Sequence, residues 1–246
     1  LGLPPALRPY SGLLSPLLGY ALVILIGYLF VWTITGLLPA LIAAIVGAGV
    51  LNVLAWRRGG PPRVIALLRS EWPLLVLLLV TLLIGIAPLL HYGHWAIIGG
   101  GWDIETALPT VRYLERGPIS AIRSAPMNPL RDLVSDPPRI GKTLGFALWQ
   151  GQIDLLTGIE AILTFVPLMA WMRALGVLAV YVMLRATFAL QRPAALLGAA
   201  WASAGALLLW IIYFNFEKQI SAWALIPLGL VTCVAAVEYL ALYRSE

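Results

Sequence analysis

Charge is the scarcest feature of this sequence: 11% of its 246 residues are Asp, Glu, Lys or Arg. A water-soluble domain carries roughly 25%, so an ordinary soluble core is excluded. Cysteine is scarcer still. The single one, Cys233, lies in an apolar run, which excludes a disulfide framework and any cluster or zinc site built on thiolates. The only histidines, His91 and His94, fall at one membrane face, so no His–His pair brackets a haem within the bilayer, and no CxxCH attachment motif exists. Strand-like alternation is also missing, which leaves helices rather than barrel strands to cross a membrane. The opening "LGLPPALRPY" has neither Met nor a charged-then-apolar signal pattern. Either the protein is processed, or the sequence starts downstream of its true beginning.

Apolar residues are abundant, at 61%, with mean hydropathy +0.92. Several Leu- and Ala-rich runs are long enough to span a bilayer. The expected fold is an all-α polytopic membrane protein of six spans: about Pro16 to Leu38, Pro39 to Trp56, Pro73 to Leu90, Phe165 to Arg185, Pro193 to Phe214 and Ile220 to Tyr243. The chain then divides into an N-terminal three-helix half (1–90), a long loop with amphipathic surface helices (91–157) and a C-terminal three-helix half (158–246). The loop after Trp56 carries Arg57, Arg58, Arg63 and Arg69, and short Arg-rich loops face the cytoplasm. Alternation puts Arg8, the Arg185–Arg192 turn and Arg244 on that same side. The long loop and the "NFEKQ" turn (Asn215 to Gln219) then lie outside. The expected setting is the bacterial cytoplasmic membrane with both termini inside. A net charge of +5 comes from these flanking arginines and not from a basic block, so no nucleic-acid partner is implied.

Small residues recur every fourth position in the fifth span, at Ala194, Gly198, Ala202 and Ala206. Such a stripe lets a second helix approach closely. Ala43 and Gly47 repeat it in the second span. Either stripe serves packing within the chain or docking to another subunit.

The long loop holds most of the polar chemistry. In "GGGWDIETALPTVRYLERGP" (Gly99 to Pro118), Ile104, Ala107, Leu108, Val111 and Leu114 fall at helical spacing, with Glu105, Arg112, Glu115 and Arg116 opposite. This predicts an amphipathic helix on the membrane surface, with a kink or a start at Pro109 and Asp103 as its N-cap. His91 and His94 in "HYGH" have a spacing a metal could use with Asp103 or Glu105. Interfacial histidines beside Tyr92 and Trp95 explain them more simply, and no metal is expected. "RIGKT" (Arg139 to Thr143) lacks the earlier Gly and the preceding strand of a phosphate loop. Arg173 falls inside the apolar layer of the fourth span, where a charge is a functional candidate. It binds a lipid phosphate, snorkels outward, or pairs with Glu160 or Asp154.

The stretch "WDIETALPTVRYLERG" resembles the first outer loop of GT-C membrane glycosyltransferases: an acidic residue after an outward-going span, then an amphipathic helix with a Tyr, ending at Gly. "YFNFEKQISAWALIPL" (Tyr213 to Leu228) is similar to a polar turn opening a span in related bacterial membrane proteins. The resemblance implies a sugar donor linked to a lipid phosphate, with Asp103 as base or metal ligand, Glu105 assisting and Arg173 on the donor phosphate. Two departures stand beside it: fewer spans than those enzymes usually have, and an Asp-Glu pairing loosened to Asp-Ile-Glu.

Two functions follow. The first is a non-catalytic accessory subunit, without cofactor of its own, packed among lipids and other integral-membrane subunits of a larger assembly such as an electron-transfer or photosynthetic complex. The second is a GT-C-like glycosyltransferase or a fragment of one.

Overall fold

A computed structural model of the chain describes residues 4–32, 36–59, 66, 69–93, 102–118, 137–205 and 217–243. Among the described residues the regular elements are all helical. A short 3₁₀ segment, Pro5–Tyr10, leads into α1 (Ser11–Trp32), followed by α2 (Leu37–Gly59), α3 (Trp72–Tyr92), α4 (Trp102–Arg116) and α5 (Pro137–Thr157). The series continues with α6 (Ala161–Ala186), α7 (Arg192–Ser203) and α8 (Glu217–Tyr243). Helix boundaries follow the expected chemistry. Proline occupies the first turn of α3 and of α7, where a missing N–H costs nothing. Gly93 closes α3 with φ +66°, and Gly158 makes the tight turn from α5 into α6 with φ +70°, a conformation that glycine adopts without steric cost.

Among the described residues, five helices are long and apolar enough to cross a membrane: Leu7–Val31, Leu37–Leu54, Trp72–Tyr92, Ala161–Ala186 and Ala222–Ala241. The protein is therefore a multi-pass membrane protein. Of the expected fifth span, Pro193 to Phe214, the structure describes α7 alone. That helix ends at Ser203, and residues 206–216 lie outside the described residues.

Helix α6 is the hub. It is 72% buried within the protein, against 17–28% for the other four candidate spans, and it packs on α8, α3, α7, α1, α4 and α5. Its inward residues Phe165, Met169, Met172 and Tyr181 join Tyr20, Phe146 and Trp149 in one core. Aromatic rings meet edge-on there, with Tyr20–Trp149 centroids 5.3 Å apart and Phe146–Phe165 also 5.3 Å, the arrangement that ring quadrupoles favour. Small residues set the closest helix approaches. A Cβ on Gly85 of α3 would lie 2.6 Å from the Ala170 methyl, and the Trp223 indole of α8 lies directly over Gly176. Leu25, Leu29, Ile42, Val46, Leu79, Ile226 and Val237 point outward, as lipid-facing residues must.

Two features add to what the sequence pattern conveys. Within the segment read as the long loop, α5 forms a 21-residue helix packed against α1, α2, α4, α6 and α8. Its residues from Leu144 to Asp154 are nearly all buried. Gln150, Gln152 and Asp154 lower the hydropathy of this run below that of a span, yet each finds a partner inside the protein. The second concerns the small-residue stripe of α7. The buried row is Ala195, Ala199 and Ser203, while Ala194 is exposed. Gly198 and Ala202 sit at its margin, Gly198 against Leu184 of α6, and Ala206 falls outside the described residues. Two adjacent rows of small residues run along α7, and spacing alone does not choose between them.

A polar cluster ties one end of the bundle. Glu71 Oε2 accepts from Tyr181 Oη at 3.0 Å and lies 3.5 Å from Arg192 Nη2, which also donates to the Ser70 carbonyl. Arg185 Nη1 donates to the Leu190 carbonyl at 2.7 Å. The start of α3, the end of α6 and the start of α7 are fixed together there. At the opposite end stand α4, the start of α2 and the α5–α6 junction.

Candidate functional site

The sequence of α4 folds as an amphipathic helix, and its apolar stripe is used inside the protein. Val111 and Leu114 are fully enclosed with Leu37, Leu144, Ala147 and Leu148. Burying that stripe on α5 turns the remaining face outward. Among the described residues, Leu108, Pro109, Arg112, Tyr113 and Arg116 line an open-sided cavity of about 550 Å³. They recur at the four-residue spacing that stacks side chains on one helical face.

Arg112 is held by two carboxylates, Glu115 at 3.5 Å and Glu160 at 3.2 Å. Its side chain is 50% exposed and that of Glu160 65%, so these ion pairs are weak and exchangeable. Arg116 occupies the last turn of α4, where a cation complements the partial negative charge of the helix end. A guanidinium offers a planar fork of donors that matches carboxylate or phosphate oxygens. The arrangement can bind an anion beside an apolar surface.

Behind α4 lies a buried polar node at the α5–α6 junction. Asp154 Oδ1 accepts from Thr164 Oγ1 at 2.7 Å. Gln150 Nε2 donates to the Ala161 carbonyl at 2.6 Å and to Thr164 Oγ1 at 3.3 Å. Burial pushes the Asp154 carboxyl up to about 6, opposed by the Thr164 hydrogen bond. Glu115 adds to the rise and Arg112 works against it.

Helix α4 begins at Trp102, so Asp103 and Glu105 both occupy its first turn, with Asp103 one residue inside the start. Their side chains lie outside the described residues, and Pro109 sits within the helix. Arg173 is 1% exposed, and its Nη2 donates to the Ser203 carbonyl. It sits twelve residues into α6, roughly 18 Å along the axis from the helix start, so Arg173 does not join the cavity. Neither proposed carboxylate meets it: Glu160 is on Arg112 and Asp154 on Thr164. Ser203 is the last residue of α7, where a carbonyl has no partner within its own helix. Arg173 caps that broken end inside the protein. His91 is exposed, its ring edge-on to Tyr92 at 4.8 Å, while His94 lies outside the described residues. Among the described residues no three His, Cys, Asp or Glu side chains come together as a metal site.

Sequence reasoning missed the Asp154 node and the role of Arg112 and Arg116 as cavity wall. The signals were legible: two arginines four apart flanking a tyrosine, and three polar residues at alternate positions in the otherwise apolar "LWQGQIDLL". Comparison with protein-family models, curated proteins and solved structures finds no match to this chain.

Proposed function

We propose that this chain holds a phosphate-bearing lipid at the α4 end of the bundle, as part of a GT-C-like scaffold that works on lipid-phosphate-linked sugars. The cavity carries the reading. Two guanidinia and a phenol stand on one helical face beside Leu108 and Pro109, which suits an anionic head with the first methylenes of a lipid tail. Positive charge in the short loops at the other end favours an outer location for this end, in keeping with the six-span topology expected from the sequence. Asp103 and Glu105 precede Arg112 on the same helix, Asp103 by roughly 14 Å of axial rise. As a general base, Asp103 must reach an acceptor hydroxyl within hydrogen-bond distance. In nanodiscs, Arg116→Ala is expected to weaken binding of a polyprenyl-phosphate sugar about tenfold, the loss of one charge-assisted contact; unchanged binding removes the cavity from the function. Asp103→Asn is expected to stop sugar transfer while binding persists. Transfer that continues removes Asp103 from the chemistry.

A second reading, an accessory subunit of a larger membrane complex, draws on one observation. The second half of α2 is uncovered: nothing lies within 4 Å of a Cβ built on Gly47 or Gly49, and Ala48 and Asn52 are exposed beside them. Small residues with an amide favour helix association in lipid. Gentle purification tests it: a companion subunit lost on Gly47→Leu is expected, and a lone, monodisperse protein overturns it.

A further inference from the structure

The lipid-binding reading leaves the buried node behind α4 without a task. Asp154 is 6% exposed, Thr164 8% and Gln150 fully enclosed. Thr164 Oγ1 lies 2.7 Å from Asp154 Oδ1 and 3.2 Å from the Ala161 carbonyl. A hydroxyl has one proton, so it serves one of these acceptors at a time. Asp154 Oδ2 and Gln150 Oε1 are enclosed and have no hydrogen-bond partner among the described residues. Acceptors therefore outnumber donors in a place that water barely reaches, which is costly for a carboxylate.

One proton corrects the imbalance. It converts the carboxylate from acceptor to donor, directed at Thr164 Oγ1. The threonine hydroxyl then turns to the Ala161 carbonyl. Both arrangements use the same heavy-atom positions, so the node accepts either charge state without rebuilding. The charged surroundings favour uptake. From α4, Glu115 and Arg112 face the carboxyl with opposite effects, and Arg112 is itself shared with Glu160 of the α5–α6 turn. Helix α1 carries no charged residue, and the arginines of α2, Arg57 and Arg58, sit at its far end. Arg173 and Arg185 of α6 are engaged with the Ser203 and Leu190 carbonyls, and Glu238 of α8 is exposed near the other end.

We infer that Asp154 is a proton-binding site built into the α5–α6 junction, and that the charge it carries governs how firmly Arg112 holds an anion. Arg112 already faces Glu115 and Glu160; an ionised Asp154 is a third carboxylate competing for its field. The second half rests on the lipid-phosphate reading of the cavity, while the first stands without it.

Two measurements on the full chain in nanodiscs test the two halves separately. In ligand-free protein, infrared difference spectroscopy should show a buried carboxylic-acid band that appears as pH falls between about 7 and about 5, within reach of a perturbed carboxyl. The band should be missing in Asp154→Asn. In Thr164→Val, which loses the hydrogen bond that favours the charged form, it should titrate at higher pH. No Asp154-dependent band, or no shift in Thr164→Val, overturns the proton site. The second measurement is binding of dihexanoylphosphatidylglycerol, a phosphodiester whose single charge is constant over this range. Its affinity should rise roughly fivefold from about pH 8 to about pH 5.5, the effect of one charge acting over several ångströms near a surface. Asp154→Asn should bind at the low-pH level throughout. Equal pH dependence in both proteins overturns the coupling. Absence of binding at every pH, with the infrared band intact, refutes the lipid reading and leaves the proton site standing.

Discussion

Placing a methyl group on Gly176 is a direct test of the packing that organises this protein. Gly176 faces the Trp223 indole, and a Cβ there would fall within the van der Waals envelope of ring atoms Cδ1, Nε1 and Cγ. The ring is rigid and half-buried, so either it swings out or α8 moves off α6. These two helices share the broadest contact between described elements. Against a rigid ring the cost of overpacking falls in the upper part of its usual range, about 2–3 kcal/mol, offset by about 1 kcal/mol of helix propensity gained when Gly becomes Ala. Gly176→Ala should therefore lose about 1–2 kcal/mol in denaturant unfolding in detergent, followed by circular dichroism. Gly47→Ala is the control. Open space surrounds Gly47, so only propensity acts there, and stability should hold or rise by up to about 1 kcal/mol. Adding Trp223→Leu to Gly176→Ala should cost less than the sum of the single losses, because the clash partner is gone. A Gly176→Ala protein as stable as the wild type, or strict additivity in the double variant, would refute the close α6–α8 contact.

Acid should stabilise this fold through Asp154. Its folded carboxyl, about 6 against an ordinary 3.8, binds protons more tightly than in the unfolded chain. Stability from this group is fully present below about pH 4 and is lost as pH rises through about 6, by up to about 3 kcal/mol. Unfolding titrations should show that decline in the wild type and not in Asp154→Asn. Arg173→Met should speed amide exchange in the last turn of α7, because the Ser203 carbonyl loses its donor; unchanged exchange would deny the capping role. Glu71→Gln keeps an acceptor for Tyr181 but removes the charge facing Arg192. For a partly exposed pair a loss of about 0.5–1 kcal/mol is expected in thermal unfolding, and a loss several times larger would show that the cluster acts as one unit.

Much of the architecture was legible because lipid imposes a simple rule on long apolar runs. The stretches around Ala21, Ile45, Leu78, Leu175 and Leu230 each emerge as helices able to span a bilayer. Polar residues in a buried helix hid α5: Gln150, Gln152 and Asp154 look like loop chemistry until their partners on α1 and α6 are known. Those partners lie up to 129 positions away, at Val23, beyond any local pattern. The spacing in α4 carries an amphipathic pattern, but spacing does not say what its apolar stripe covers. The stripe turns out to lie on protein, leaving Arg112 and Arg116 to form a wall. Arg173 stood out because a charge in an apolar run is rare; its partner, a backbone carbonyl, carries no side-chain signature.

The Arg173–Ser203 contact imposes an order on biogenesis. During synthesis α6 emerges before α7, so a guanidinium is presented to the insertion machinery before the Ser203 carbonyl to which it donates exists. Releasing such a helix alone into lipid costs roughly 2.5–3.5 kcal/mol on insertion scales. Helix α6 should therefore wait beside the translocon until α7 arrives, and the two should enter the bilayer as a pair. The central helix of the finished bundle would then settle into lipid only in company with α7, against neighbours α1 to α3 that precede it in the chain.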